Sequence, residues 1–270
     1  MTNEAKLPWR TAKKKGISEM HSFVKKIIGT FANQIIDGKP KLYFLHIGKT
    51  GGTSIRESGI GRAVLGGQNT FRLRDKLTWK YKTHVVGHEK CPDFFRSKSN
   101  LAFFIREPAL RLKSAFNCGK YFGIQSEYRK SISQSDAIAE LYEQFNDFNC
   151  WIHALNDSES TLHSNAQDLM KLDYHLSRGY TFYFGNVKLI ESRKDEILFI
   201  GEQESFDQDS RRLLDIIGVK NKSIEFHHRN KSLKRGEKQF DDKLKAIVQN
   251  LFPDDYRIYG ALLNIKKNLS

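Results

Sequence analysis

The segment that most constrains the fold is a short apolar run that ends at a glycine-bearing turn. Residues 42–47, Leu-Tyr-Phe-Leu-His-Ile, are rich in β-branched and aromatic side chains and short enough for one buried parallel strand. Gly48 ends this run, and residues 49–54, Lys-Thr-Gly-Gly-Thr-Ser, follow it. Glycines let a backbone pass close to a ligand, and the N–H groups that open a helix favour an anion. The segment therefore predicts a strand, a phosphate-binding loop and a helix over residues 53–58.

The position of the glycines distinguishes two kinds of phosphate loop. The loop of nucleotide triphosphatases reads Gly-x-x-x-x-Gly-Lys-[Ser/Thr]. If Gly48, Lys49 and Thr50 ended such a motif, its first glycine would fall at position 43, which is Tyr43. That motif fails, and glycines after the lysine suit a smaller phosphate group without a magnesium-bound γ-phosphate. A glycine-rich turn with a surface lysine and no ligand is the alternative.

Polar side chains also follow two later apolar runs. Residues 83–88, Thr-His-Val-Val-Gly-His, predict a strand that ends in His88, at the place where parallel sheets bind ligands and with a side chain suited to proton removal. Residues 101–105 predict another strand, followed by Arg106 and a helix that contains Ser114. The guanidinium of Arg106 and the hydroxyl of Ser114 can converge on one phosphate. A core histidine and a structural arginine are the alternatives.

Two more histidines lie in or beside the predicted strands. His84 lies on the same face of its strand as His88, so it either orients the site or fills the core. His46 lies inside the first predicted strand, and we expect it to be a core residue.

Residues 44–54, Phe-Leu-His-Ile-Gly-Lys-Thr-Gly-Gly-Thr-Ser, resemble the 5′-phosphosulfate loop of the carbohydrate sulfotransferases, in the branch of the heparan sulfate 2-O-sulfotransferases. Members of that branch usually carry proline where this chain has Gly48. Residues 105–116 resemble the 3′-phosphate motif of the family, with Glu107 in place of the usual aspartate. Gly87 and His88 match a catalytic pair that the family places between the two motifs. The resemblance is strong over residues 42–120 and loose over residues 195–262.

This resemblance implies a fold, a donor and several residue roles. It implies an α/β domain of the P-loop-like three-layer type, with a central parallel sheet flanked by helices. The donor would be 3′-phosphoadenosine 5′-phosphosulfate, and no metal is required. His88 would be the general base, and Lys49 would stabilise charge on the departing nucleotide. The residues expected to bind the donor are Lys49, Thr50, Gly51, Gly52, Thr53, Ser54, Arg106 and Ser114.

Composition restricts the partners and the compartment. Forty-five Lys and Arg against 31 Asp and Glu give a net charge of +14, which favours an anionic partner such as a nucleotide, acidic glycan, nucleic acid or lipid headgroup. The cysteines at positions 91, 118 and 150 fit neither a disulfide framework nor a zinc site, so we expect reduced thiols. Without an 18-residue apolar run or a signal peptide, we expect a soluble, cytoplasmic protein. Animal members of the family are membrane-anchored Golgi enzymes, and this contrast indicates a bacterial or viral source.

The chain divides into an N-terminal segment and one domain. We expect residues 1–40 to form a basic arm and an amphipathic helix, and residues 41–270 to form the sulfotransferase domain. The helix either docks on the domain or contacts a membrane surface or a second subunit. In a basic segment at residues 227–235, Asn230 and Arg235 either help to close the nucleotide site or belong to a solvated charge run. The remaining predicted elements are helices over 135–156, 159–177 and 207–217, and a strand over 197–200. Residues 252–260 resemble the closing helix of the family.

Together these features predict transfer of a sulfuryl group to a hydroxyl on a glycan or glycolipid. The net charge would suit an acceptor that is already anionic, and it also permits peripheral contact with a membrane. The alternatives are a magnesium-dependent kinase or nucleotide triphosphatase, and a non-enzymatic nucleic-acid-binding protein. The chain lacks a recognisable nucleic-acid recognition module, so we do not expect nucleic acid as the partner.

Overall fold

The computed structural model describes residues 30, 34–35, 37–51, 79–122, 135–219 and 241–269. The basic arm, most of the predicted amphipathic helix, the helix predicted over 53–58 and the basic segment at 227–235 lie outside the described residues. The domain boundary at residue 40 therefore stays a prediction.

A parallel sheet of four strands forms the centre of the described fold. Its strands are β1 (Lys41–Leu45), β2 (Lys82–Val86), β3 (Leu101–Ile105) and β4 (Ile197–Glu202). The strand order is β2-β1-β3-β4, and each neighbouring pair is parallel. Leu45 lies beside Val86 on one side and beside Phe103 on the other. The strands predicted from the apolar runs are confirmed, although β1 ends at Leu45 instead of Ile47 and β2 ends at Val86 instead of His88.

Helices account for most of the remaining described residues. A 3₁₀ turn, His88–Lys90, follows β2, and a π-helical segment covers Cys118–Phe122. The helices are α1 (Cys91–Ser97), α2 (Pro108–Asn117), α3 (Ser135–Glu143), α4 (Phe148–Asn156), α5 (His163–Leu172), α6 (Tyr174–Ser177), α7 (Tyr180–Phe184), α8 (Val187–Ser192), α9 (Phe206–Ile217), α10 (Asp242–Leu251) and α11 (Pro253–Asn268). None of the helices in the described ranges has the length and apolar character needed to cross a lipid bilayer.

Two helices predicted from periodicity are each divided by an aspartate that caps a new helix. The predicted helix over 135–156 consists of α3 and α4, because the Asp147 carboxylate accepts the backbone N–H of Cys150 at 2.9 Å and starts α4. The predicted helix over 159–177 contains α5 and α6, with the Asp173 carboxylate capping α6. All four helices bury residues in one apolar cluster with α2 and α10, which explains why the periodicity continues across each break.

Alternate side chains of the sheet are buried on its two faces, as the pleat requires. Phe103 and Ile105 pack with α1, α7, α8 and α11 on one face. Ala102 and Phe104 pack with α9 on the opposite face. Helices therefore cover both faces of a parallel sheet, and the predicted α/β fold class is confirmed.

The strand order creates a crevice between β1 and β3. In the sheet order, β2 lies on the side of β1 away from β3, and β4 lies on the side of β3 away from β1, so the strands that follow β1 and β3 in the chain lie in opposite directions from this point. Open parallel sheets bind ligands beyond the carboxyl ends of their strands at such a point. Lys49 follows β1 and Arg106 follows β3, which places these two cations on either side of the crevice.

Candidate active site

The loop after β1 has an unusual backbone that its own hydrogen bonds hold in place. Lys49 has φ of 67° and Gly51 has φ of 97°, in a region that residues with a Cβ rarely adopt. Thr50 is 1% exposed, and its hydroxyl donates to the carbonyl oxygen of Ile47 at 3.0 Å. Because this hydroxyl closes the turn, the group of Thr50 that can face a ligand is its backbone N–H. Residues 52–54, which are Gly52, Thr53 and Ser54, lie outside the described residues, and their binding roles stay predictions.

The end of β4 supports this loop. A Cβ on Gly51 would lie only 2.2 Å from Oε1 of Gln203, so the two groups are in close contact. The backbone N–H of Gln203 in turn donates to the carbonyl oxygen of Ile105 at 3.0 Å, which joins β4 to the end of β3. Gln203 carries no motif that predicts this role from the sequence. The available signal was its position three residues after the end of the strand predicted over 197–200.

His88 faces the loop after β1. It is half-buried at the start of the 3₁₀ turn after β2, and its Cε1 lies 3.7 Å from the position that a Cβ on Gly48 would occupy. Its ring centroid is 4.1 Å from that of His46. The prediction that His46 is a core residue was wrong, because β1 ends before it and its ring is half-buried against His88.

The segment that forms α6 and α7 encloses the other side of His88. The ring centroids of Tyr174, His175 and Tyr183 lie 5.8, 5.7 and 6.5 Å from that of His88. The Tyr183 hydroxyl accepts the backbone N–H of Gly48 at 3.1 Å and lies 3.5 Å from Nδ1 of His88. This segment carries no motif, and its place in the site was not predicted from the sequence. Its density of aromatic residues was the only signal, and core helices share that property.

Burial keeps two of these side chains uncharged. Removal from water lowers the pKa of His175 to about 3, and nearby positive charge, beginning with Lys49, adds to the effect. Burial also raises the pKa of Tyr183, although its hydrogen bond with Gly48 opposes the change. Near neutral pH, His175 is therefore a neutral imidazole and Tyr183 a neutral phenol.

Arg111 holds the α6–α7 segment against α2. Its side chain is 2% exposed, Nη1 donates to the carbonyl oxygen of His175 at 3.4 Å, and Nη2 lies 4.0 Å from the Asp255 carboxylate. Its Cζ is also 5.7 Å from the ring centroid of Tyr180. The Tyr180 hydroxyl accepts the N–H of Arg106 at 2.7 Å and donates to its carbonyl oxygen at 2.5 Å. These contacts connect the segment beside His88 to the end of β3.

Arg106 lies directly after β3 and is half-buried. Its Nε is 3.5 Å from the carboxylate of Glu204, whose pKa is raised by burial. The neighbouring Glu107 caps α2 by accepting a backbone N–H of the first turn at 2.9 Å, so the replacement of the usual aspartate preserves a helix cap. Ser114 lies half-buried in the second turn of α2.

His84 lies in the middle of β2 and packs against the neighbouring strand, away from the carboxyl ends of the strands. It pairs with Tyr43 in the register of β1 and β2, and the two rings stack with centroids 5.6 Å apart. Burial lowers its pKa, with Lys82 and Lys41 contributing. This position favours a structural role for His84 over a role in orienting the site.

Cys91 lies beneath the turn that carries His88. Its Sγ is 3.3 Å from the carbonyl oxygen of Gly87, and burial raises the pKa of the thiol to about 12, so the side chain is not a thiolate nucleophile. Across the part of the chain that the structure describes, no group of three or more His, Cys, Asp or Glu residues could hold a metal ion.

The comparison with protein families identifies the class of this protein. A family model described as the sulfotransferase family matches residues 32–260. The match spans most of the chain, so the chain belongs to the sulfotransferase family and is a transferase. The comparisons with curated proteins and with solved structures give no significant match.

Proposed function

We propose that the protein transfers a sulfuryl group from 3′-phosphoadenosine 5′-phosphosulfate to a hydroxyl on a carbohydrate. The observation that supports this most strongly is that three predicted binding or catalytic segments begin at the same edge of the sheet. The loop with Lys49 follows the central strand β1, while His88 and Arg106 follow its two neighbours, β2 and β3. Adjacent strands lie about 4.8 Å apart, so a single nucleotide can contact all three segments.

The donor would be bound at both of its phosphate ends. The backbone N–H groups of the loop, together with Lys49, are suited to the 5′-phosphosulfate, because converging N–H groups and a cation favour an anion. Arg106 and Ser114 are suited to the 3′-phosphate through a guanidinium and a hydroxyl. We include Gly52, Thr53 and Ser54 in the loop on the resemblance of its sequence alone.

His88 would remove the proton from the acceptor hydroxyl while that oxygen attacks sulfur. The bond between sulfur and the bridging phosphate oxygen breaks, and its electron pair leaves with the nucleotide. Lys49 would stabilise the charge that grows on this oxygen. The acceptor proton ends on the imidazole, the type of side chain that most often serves as a general base.

The acceptor side of His88 favours an anionic glycan or glycolipid. Arg178 is sandwiched between two rings, with its Cζ 3.6 Å from the centroid of Tyr174 and 4.7 Å from that of Phe182. Among the described residues its buried Nη1 has no hydrogen-bond partner, and Nη2 lies 3.7 Å from the exposed carboxylate of Glu89. Tyr174 also contacts His88, so one ring separates this guanidinium from the proposed base. An anionic group of the acceptor can replace Glu89 there.

Several finer assignments rest on the sequence resemblance. These are membership of the heparan sulfate 2-O-sulfotransferase branch and the bacterial or viral source. The proposed cytoplasmic location rests on the reduced thiols expected of the three cysteines. The family match favours sulfuryl transfer over the kinase and nucleic-acid-binding alternatives.

The proposal is tested by transfer from a labelled donor to an extract of glycans and lipids from the source cell, followed by mass analysis of the product. We expect a sulfated carbohydrate from the wild-type protein. Lys49→Ala and His88→Ala should each abolish detectable turnover, since loss of one preorganised donor alone costs about a hundredfold to a thousandfold. Arg257→Gln changes an exposed arginine on α11 and is the control for net charge. Near-normal turnover of His88→Ala at saturating acceptor would refute the assignment of the base.

A further inference from the structure

Tyr183 lies between the loop after β1 and the imidazole of His88. Its side chain is 1% exposed and belongs to the apolar cluster that packs on the sheet. Its hydroxyl oxygen accepts the backbone N–H of Gly48 at 3.1 Å, and the same oxygen lies 3.5 Å from Nδ1 of His88. One rigid side chain therefore contacts both the proposed donor loop and the proposed base.

The residue at position 48 is matched to this hydroxyl. A Cβ on residue 48 would lie 2.9 Å from the Tyr183 oxygen and 3.4 Å from Nδ1 of His175, which is too close to the first atom without movement of the ring. The proline that is usual in the resembling family has a Cβ and no N–H to donate. Gly48 has a backbone N–H to donate and no Cβ to overlap the Tyr183 oxygen. The hydrogen bond between residue 48 and the tyrosine hydroxyl therefore depends on glycine at this position.

A neutral imidazole carries a hydrogen on one ring nitrogen and a lone pair on the other. A phenolic oxygen can accept two hydrogen bonds, and the N–H of Gly48 occupies one position on Tyr183. The same oxygen lies 3.5 Å from Nδ1 of His88, and the tautomer of the imidazole decides which of the two groups donates. If the Tyr183 hydroxyl donated its own hydrogen to Nδ1, the ring hydrogen would be on Nε2 and no lone pair would be available there. If Nδ1 carries the hydrogen and donates it to this oxygen, the lone pair is on Nε2, where a base can receive a proton.

We propose that Tyr183 is a positioning residue that fixes His88 in the tautomer protonated at Nδ1 and couples its orientation to the phosphosulfate loop. This inference rests on the proposed function, because it assigns the proton of the acceptor to Nε2. The Nδ1–H bond remains when that proton arrives, and it stabilises the imidazolium. The 3.5 Å contact is long for a hydrogen bond, as catalytic contacts often are before substrates bind.

The first test reads the tautomer without requiring turnover. The nine histidines are labelled with ¹⁵N, and the signals of His88 are identified by their loss in His88→Ala. We expect a protonated Nδ1 and an unprotonated Nε2 in the neutral wild-type ring, and a shift towards the other tautomer in Tyr183→Phe. Tyr43→Phe is the control, since Tyr43 is also half-buried against a histidine. A wild-type His88 protonated at Nε2, or a tautomer that Tyr183→Phe leaves unchanged, would overturn the proposal.

The second test separates positioning from a general loss of structure. Tyr183→Phe should lower kcat about tenfold or more, within the contribution of a general base, while KM for the donor and acceptor changes little. Gly48→Ala should impair the wild-type protein more than it impairs Tyr183→Phe, because the smaller ring edge of phenylalanine makes room for the new methyl group. Equal effects of Gly48→Ala in both backgrounds would contradict the proposed dependence. If the expected tautomer is observed and no donor supports transfer, the proposed function fails while the coupling of Tyr183 to His88 stands.

Discussion

Arg106 and Glu204 form an ion pair across the carboxyl ends of β3 and β4, with 3.5 Å between Nε and Oε1. Arg106 is also the proposed ligand of the 3′-phosphate, so this guanidinium has to exchange a carboxylate for the donor. Burial raises the pKa of Glu204, which shows that the surroundings disfavour its charged form despite the nearby arginine. If Arg106 binds the nucleotide as proposed, the carboxylate of Glu204 competes with the nucleotide for the same cation.

Glu204→Gln should strengthen binding of 3′-phosphoadenosine 5′-phosphate. A partly exposed ion pair contributes about 0.2–1 kcal/mol, so we expect an increase in affinity of up to about fivefold. Arg106→Gln should have the opposite effect, about tenfold or more, because a charge-assisted bond to phosphate is lost. Calorimetry measures the affinity of both variants for the nucleotide. Glu196→Gln, which removes a carboxylate that pairs with Arg193, is the control for the loss of a negative charge. Weaker binding by Glu204→Gln would show that Glu204 orients Arg106 instead of competing for it.

Gly51 and Gly87 both lie in the predicted site, but only Gly51 should require glycine. At Gly51 the backbone has φ of 97°, and a Cβ would lie 2.2 Å from Gln203. A Cβ on Gly87 meets no heavy atom of the described residues within 4 Å. We therefore expect Gly51→Ala to abolish nucleotide binding, with a backbone cost of about 1–2 kcal/mol before any overlap is counted. Gly87→Ala should bind the nucleotide and turn over like the wild type in the same calorimetric and rate measurements. Normal binding by Gly51→Ala would show that the loop does not need this conformation.

Arg178 should determine the preference for an anionic acceptor. Arg178→Gln should raise the KM of an anionic acceptor, since the guanidinium that binds it is removed, with little change for a neutral analogue of the same size. Glu89→Gln should lower the KM of the anionic acceptor, because the carboxylate that pairs with Arg178 is lost. Initial rates on oligosaccharides before and after chemical reduction of their carboxyl groups provide this comparison. Arg257→Gln is again the control for charge, and an equal effect of Arg178→Gln on both acceptors would refute the role.

His175 should make the folded state less stable in acid. Its pKa of about 3 in the folded state lies below the ordinary value of 6.5, so between these values the unfolded chain binds a proton that the folded chain does not. Stability is then lost as the pH falls from about 6.5 towards 3, at about 1.4 kcal/mol per pH unit for this one group. The free energy of unfolding is measured by urea denaturation at several pH values between 7 and 4.5. Its slope against pH should be shallower in His175→Asn than in the wild type by this amount. His153→Asn, which changes an exposed histidine on α4, should keep the slope of the wild type.

The fold and the crevice were largely predictable because their signals are local. Each strand of the sheet is a short apolar run, and Lys49, His88 and Arg106 each follow such a run within a few residues. Strand order is not visible in this pattern, and it is the order that makes β1 the neighbour of both β2 and β3. The end of β1 was predicted two residues too late, since the residue types alone did not distinguish Ile47 in a turn from Ile47 in a strand.

The walls of the site were not predictable, because they come from distant segments. Tyr174, His175 and Tyr183 reach His88 from helices that lie about ninety residues further along the chain, as the separation of 95 residues between Tyr183 and His88 shows. Their roles depend on three-dimensional packing, which the buried Arg111 helps to hold, and no spacing rule relates them to the strand ends. Gln203 and Glu204 are intermediate cases. Their position after β4 indicated proximity to the site, whereas their contacts with Gly51 and Arg106 required the structure.

The central claim is that one sheet edge binds an adenosine bisphosphate through separate sites for its two phosphate ends. It is tested most directly by calorimetric titration of the protein with 3′-phosphoadenosine 5′-phosphate and with ATP, in the absence of added metal. The bisphosphate should bind far more tightly than ATP, and Lys49→Ala and Arg106→Ala should each weaken its binding, while His88→Ala should leave it nearly unchanged. Equal or tighter binding of ATP, or bisphosphate binding that neither Lys49→Ala nor Arg106→Ala affects, would contradict the claim.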